Sequence, residues 1–198
     1  MSPPPPATLP ATLPARDRLM TAALQRVGAE GPVAVSLEAI RRDAGVSVGA
    51  LYHHFTDKAQ LLDALYLELI SEFQEGFLAQ LRAQAPARDG IVGGVRFYLR
   101  WVSHNRNGAA VLLGHHRNTP ALRELNRRFF AEVMDWWRTH VHYGTVTPLP
   151  LNLIEALWLG PAQEYTRHWL TGSTKQPGTT AVEVLSRAAW EALRARPA

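Results

Sequence analysis

The sequence predicts an all-α protein, a small helical head followed by a larger helical body, and three observations carry that prediction. Apolar residues recur at three- and four-residue intervals through one segment after another, the period of helices that bury one face. No stretch shows the apolar–polar alternation of a strand, and no internal repeat stands out. Breakers at Gly31-Pro32, Pro86, Pro120 and Gly160-Pro161 cut the chain into helix-length pieces. The 198 residues are 46% hydrophobic and 19% charged, ordinary proportions for a globular chain with enough length to bury a core.

Residues 1–14 hold six prolines and no charged side chain, so they read as an extended arm. Arg16 and Arg18 follow it, either solvated or placed to reach phosphates or a minor groove. Residues 15–29 place Leu19, Ala22, Ala23, Leu24 and Val27 on one helical face, and Gly28 with Gly31-Pro32 closes the helix. Ser36 then suits an N-cap, because its hydroxyl can accept from a free amide of the next turn. Leu37 and Ile40 give that short helix its inward edge. It stops at Asp43-Ala44-Gly45, where Gly45 can adopt the positive φ that a side chain resists. Ser47 caps a third helix whose inward edge is Val48, Leu51 and Phe55, which leaves Tyr52, His53 and His54 outward. Two short helices across a tight turn form a helix-turn-helix, whose second helix enters the major groove of DNA.

The run AGVSVGALYHHFTDKAQLL, residues 44–62, resembles the DNA-binding segment of TetR-family transcriptional regulators. It shares their Ala-Gly-Val-Ser, their Leu-Tyr-x-His-Phe and their lysine followed by a Leu pair, and the likeness extends over roughly residues 14–66. The chain departs from the pattern at Arg41, where many relatives carry alanine, and at Val48, a position often polar or basic. The resemblance implies that Val48, Gly49, Ala50, Tyr52 and His53 face the major groove, with Ser47 at the head of the same helix. It further implies that Ser36, His54 and Lys58 meet phosphates. The residue types fit in part: Gly49 allows close backbone approach, Val48 and Ala50 can touch thymine methyls, and Tyr52 can donate to a phosphate. Between Ser47 and His54 there is no Arg, Lys, Asn or Gln to make a bidentate base contact. Methyl contacts and DNA shape must then supply much of the specificity. Charge adds little, since residues 1–60 carry six basic side chains against five acidic ones.

Asp57 and Gln60 have capping-box spacing at the start of a long helix striped by Leu61, Leu62, Leu65, Leu69, Phe73, Phe77 and Leu81, which ends before Pro86. Such a helix is a mechanical link from the head to the body. Residues 91–105 read as a helix with Ile91, Val95, Tyr98 and Val102 on one face, and 109–113 as a short apolar piece. Pro120 opens a helix striped by Leu122, Leu125, Phe129, Val133, Trp136 and His140. Residues 144–150 are a loop, 151–170 a helix bent at Gly160-Pro161, 172–180 a second loop, and 181–194 a final helix. The domain reading is an arm over 1–14, a helix-turn-helix DNA-binding domain over 15–60, and an all-helical ligand-binding and dimerisation domain over 61–198.

Five of the six tryptophans fall on three helices of this last domain. Phe97, Trp101, His104, Phe129, Trp136, Trp158, Tyr165 and Trp169 are either core or the lining of a pocket. The resemblance predicts a pocket there, and such a lining suits a hydrophobic or aromatic effector. Adjacent or alternate histidines such as His53-His54, His115-His116 and His140-x-His142 diverge on a helix, so they read as structural or surface residues rather than metal ligands. No cofactor is expected. Without cysteine, a membrane-length apolar run or a signal-peptide pattern, the expectation is a cytoplasmic protein. Without a P-loop, a GxSxG or a placed carboxylate pair, an enzyme is not expected. The resemblance therefore implies a ligand-responsive regulator, most often a repressor, that binds a palindromic double-stranded DNA operator as a homodimer. The rival is a helical small-molecule-binding protein or enzyme with a silent helix-turn-helix.

Overall fold

The computed structural model describes residues 13–114 and 118–196; of the arm, residues 1–12 lie outside them, as does the His115-His116 pair. The fold is all-α. Ten helices run through the described residues: α1 (Ala15–Glu30), α2 (Leu37–Asp43), α3 (Val48–His54), α4 (Lys58–Arg82), α5 (Ala87–His104), α6 (Arg106–Gly114), α7 (Pro120–His142), α8 (Leu151–Trp158), α9 (Gly160–Leu170) and α10 (Thr179–Leu193). The one extended pairing among them is an isolated bridge between Val146 and Arg194. The chain separates into two compact units. One runs up to Ile70 and takes in Asn107–Thr119; the other comprises Ser71–Arg106 and everything from Pro120 onward.

Local chemistry sets the helix ends of the first unit. Ser36 Oγ accepts from the Ala39 amide at 3.1 Å and Ser47 Oγ from the Ala50 amide at 3.2 Å. Asp57 Oδ1 accepts from the Gln60 amide at 2.8 Å, while Gln60 Oε1 reaches back one residue past the cap, to the Thr56 amide at 2.7 Å. Gly45 turns the chain at φ +61°. The core beneath joins Leu19, Ala23 and Val27 of α1 to Ile40, Leu51, Phe55 and the α4 residues Leu61, Leu65 and Leu69. Each fully buried Leu or Ile here contributes roughly 1.5–3 kcal/mol. Val111 of α6 belongs to the same core, and Asn107 packs so closely on Gly28 that any Cβ at that glycine would collide with it.

The second unit is built on rings seated against glycines. The Trp136 ring covers Gly90, and Trp158 with Phe77 covers Gly94, so a side chain at either glycine would displace an aromatic ring. Trp158 Nε1 donates to the Ile91 carbonyl at 2.9 Å, which fixes α8 to α5. On α7 the most deeply buried indole is Trp137, whereas its neighbour Trp136 is half-buried. Gly160-Pro161 does more than bend a helix: α8 ends at Trp158, and α9 starts anew with the proline in its first turn.

Candidate nucleic-acid interface

The α3 helix is anchored by its inner edge and bare on its outer one. Leu51 and Phe55 are buried, whereas Val48, expected on the same inward edge, sits in the first turn at the free end of α3 and is 55% exposed; Tyr52 is 57% exposed. Ser36, Ser47, Gly49 and His53 are also exposed; His54 is half-buried, and Ala50 is half-buried where it packs on the head core. Nothing lies within 4 Å of the place a Cβ at Gly49 would occupy, so the fold itself does not demand a glycine there. The His53 and His54 rings meet edge-on at 5.1 Å.

The basic side chains around α3 are largely committed to the head's own geometry. Arg18 Nη1 donates to the carbonyls of Ala44 and Gly45, both at 3.2 Å, and Arg41 Nη1 to that of Val46 at 2.6 Å. The three carbonyls of the turn between α2 and α3 are thus held by two guanidinium groups. Arg26 grips Asp43 with two nitrogens, at 2.5 and 3.1 Å, and this hydrogen bonding raises the Arg26 pKa above its ordinary value. Arg41 is likewise raised by Glu38, whose own pKa it lowers. Arg16 pairs with Glu68 at 2.6 Å. Lys58, half-buried, donates from Nζ to the carbonyls of Pro32, Val33 and Val35 at 3.4, 3.1 and 3.0 Å, one for each ammonium hydrogen. Arg42 is exposed; its guanidinium makes no hydrogen bond or salt bridge among the described residues, and its charge helps to lower the Glu38 pKa. Sequence reading missed these clamps because their partners lie up to 27 residues away.

In the second unit, a cavity of 60 Å³ is walled by Phe77, Phe129, Phe130, Val133, Ile154 and Trp158, with Glu155 and Gln163 as its polar groups. Partial burial raises the Glu155 carboxyl above its ordinary pKa, although the residue as a whole remains solvent-accessible. The structure brings Phe129 and Trp158 to this cavity and distributes the other aromatic candidates elsewhere. Phe97 meets Phe73 at a tilt of 47° with centroids 5.6 Å apart, and Trp101 meets Phe73 edge-on at 5.4 Å while its Nε1 donates to Glu72. Trp136 packs on His140 at 4.2 Å, Tyr165 donates to the Lys175 carbonyl, and Trp169 lies under Arg106. His104 is exposed, its Nδ1 2.7 Å from the Arg100 carbonyl oxygen. Phe77, Phe130 and Glu155 join the cavity without having stood out in the sequence as its lining. Among the described residues no three His, Asp or Glu side chains come together as a metal site, and no helix is long and apolar enough to cross a membrane.

Residues 19–65 match the sequence profile of bacterial regulatory proteins, tetR family. The HTH-type transcriptional regulator BetI of Rhizobium meliloti is 34% identical over 85 residues, 43% of this chain and 42% of the relative, so this chain aligns with about two fifths of that protein. BetI of Escherichia coli is 27% identical over 79% of this chain and 92% of its own length. A TetR family transcription regulator from Marinobacter aquaeolei shares the fold with a TM-score of 0.79 over 92% of this chain and 96% of its own, at 22% identity.

Proposed function

The chain belongs to the tetR family of bacterial regulatory proteins, and on that premise we propose that it is a transcriptional repressor. In this reading it binds a palindromic operator as a homodimer and leaves it when a small hydrophobic or aromatic molecule enters the C-terminal helical unit. The observation that supports it best is the outer face of α3. A seven-residue helix leaves Val48 and Tyr52 more than half exposed beside a buried edge, so its outer face is open for another surface to cover. Val48 presents methyl groups suited to thymine and Tyr52 a phenol suited to a phosphate or sugar, while open space at Gly49 lets the backbone approach. Ser36, Ser47, His53, His54 and Arg42 stand as the polar contacts around that face. Lys58, with its hydrogens engaged by three carbonyls, acts by fixing the α1–α2 loop, and Ala50 by seating α3 on the core.

One such helix reads few base pairs, and two reading heads spaced by about 34–36 Å read two half-sites in successive major grooves. A dimer surface is available on α8 and α10, where Leu153, Leu157 and Val184 are 44%, 37% and 46% exposed. Ala156 and Ala188 are exposed on the same two helices and would let their backbones approach a twin closely. The aromatic cavity by Trp158 offers the effector a hydrophobic wall with one carboxyl and one amide. A ligand there weakens operator binding only by as much as it prefers the state that does not bind DNA.

The test is a gel shift on the DNA upstream of the protein's own gene, repeated at two salt concentrations. One duplex should be retained in preference to scrambled DNA, with affinity falling as salt rises. Equal, weak retention of every duplex sinks the regulator reading and leaves the small-molecule-binding protein in its place.

A further inference from the structure

The outward row of α5 carries Arg96, Arg100 and His104 at four-residue intervals, all exposed. Six arginines of this unit are neutralised: Arg82, Arg127, Arg128, Arg138, Arg167 and Arg194 each pair with a carboxylate. Arg96 and Arg100 make no such pair among the described residues. Beside them lies a groove of 510 Å³ that runs to the start of α10, within the range of about 300–1,000 Å³ typical of ligand clefts. Its walls include Leu99, Pro177 and Val182, so basic groups rim an apolar surface. Gly178 and Thr179 at the start of α10 line this groove; Gly178 is the N-cap and no side chain caps the helix, so the positive end of a 15-residue helix adjoins the groove. Glu183 is the carboxylate in the lining. The same two arginines also border a smaller groove of 270 Å³ on their other side, with the amides of Gln80 and Gln84.

We propose that this α5–α10 groove binds an organic oxyanion, a carboxylate or phosphate head carried on a compact apolar body. The head lies between the Arg96 and Arg100 guanidinium groups and the α10 amides, where charge-assisted hydrogen bonds are strongest. The body lies on Leu99, Pro177 and Val182. This site is separate from the Trp158 cavity and does not depend on the regulator reading.

Calorimetry on the full chain at low salt tests it, with phenyl phosphate, hexanoate, inorganic phosphate and hexylammonium as probes. Phenyl phosphate, hexanoate or both should bind about tenfold or more tighter than inorganic phosphate and hexylammonium; which of the two binds better identifies the head group. Arg96→Gln with Arg100→Gln should lose about tenfold in affinity, the scale of one to two charge-assisted hydrogen bonds. Glu183→Gln should tighten binding severalfold, an effect opposite in sign that misfolding would not produce. Inorganic phosphate binding as tightly as the organic anions means an adventitious ion only and overturns the proposal. So does unchanged affinity in the double-arginine variant. A gel shift of that variant without added ligand should match the parent; loss of DNA binding there would make the row a DNA contact and overturn it as well. Failure of the parent protein to bind any operator removes the regulator reading and leaves the anion result standing.

Discussion

The two units solve the problem of rigidity differently. The head is held by long polar side chains reaching back to carbonyls: Arg18 and Arg41 on the turn, Lys58 on the α1–α2 loop, Arg26 on Asp43. The second unit is held by rings, with Phe73, Phe77, Trp158, Trp136 and Trp137 linked by contacts at 5.5–6.3 Å and its polar pairs mostly on the surface of α7. A head of α1, α2, α3, α6 and half of α4 has little apolar area to spend, so donors on flexible stems finish what its small core begins. The lesson is about charge as much as rigidity. A segment with six basic side chains has committed five of them internally before any partner arrives.

That contrast can be broken experimentally, most severely in the ring-built unit. Trp158→Ala removes a 3%-exposed indole, its bond to Ile91 and three ring contacts, and should destabilise the fold by about 3–5 kcal/mol in denaturant melts. A loss below about 1 kcal/mol would mean the rings are not what holds this unit.

High pH should expose the same difference. Burial pushes the Tyr98 hydroxyl from 10.0 up to about 12. The unfolded chain therefore gives up this proton first, and its contribution is complete below pH 10 and lost as pH rises toward 12. The loss is on the order of 2–3 kcal/mol. Tyr98→Phe should flatten that fall, and an unchanged alkaline limb in the variant would remove Tyr98 as its cause.

In the head, Arg18→Met keeps the stem but leaves the Ala44 and Gly45 carbonyls without their donor. Stability should drop by about 1–2 kcal/mol, and operator affinity should fall with it because the turn sets the pitch of α3. Full operator affinity in this variant would show that the turn holds its shape unaided. Tyr52→Phe is the mildest change. Its exposed ring should leave melting within about 0.5 kcal/mol of the parent while weakening operator binding by roughly 1 kcal/mol through loss of one hydrogen bond. Equal effects on melting and binding would place Tyr52 in the fold rather than at an interface.

Features set by near neighbours were legible in the sequence. The Ser36, Ser47 and Asp57 caps and the positive φ of Gly45 depend on residues within one turn, and all four stand in the structure as their positions suggest. Helical periodicity also located the long α4 and α7, but adjacent positions differ by only 100° on a helix wheel. That is why the stripe selected Trp136 where the deeper ring is Trp137. Contacts between distant segments were not legible. Nothing local to Lys58 indicates that the backbone of residues 32–35 will surround its ammonium group, nor does anything near Trp158 announce Phe77 as its neighbour. Aromatic richness pointed to the right unit for a cavity; its members depended on which helices pack together.

The membership of α6 in the head's core bears on how this protein can be cut and recombined. Val111 and Leu112 reach that core from more than forty residues beyond Leu69, and Asn107 fills the space over Gly28. A fragment ending at Ile70 would carry every residue of the helix-turn-helix and still lack part of its own interior. A chimera that borrows this head must therefore graft residues 107–119 along with it, or supply them as a separate peptide. The reading head is contiguous in space and discontinuous in sequence.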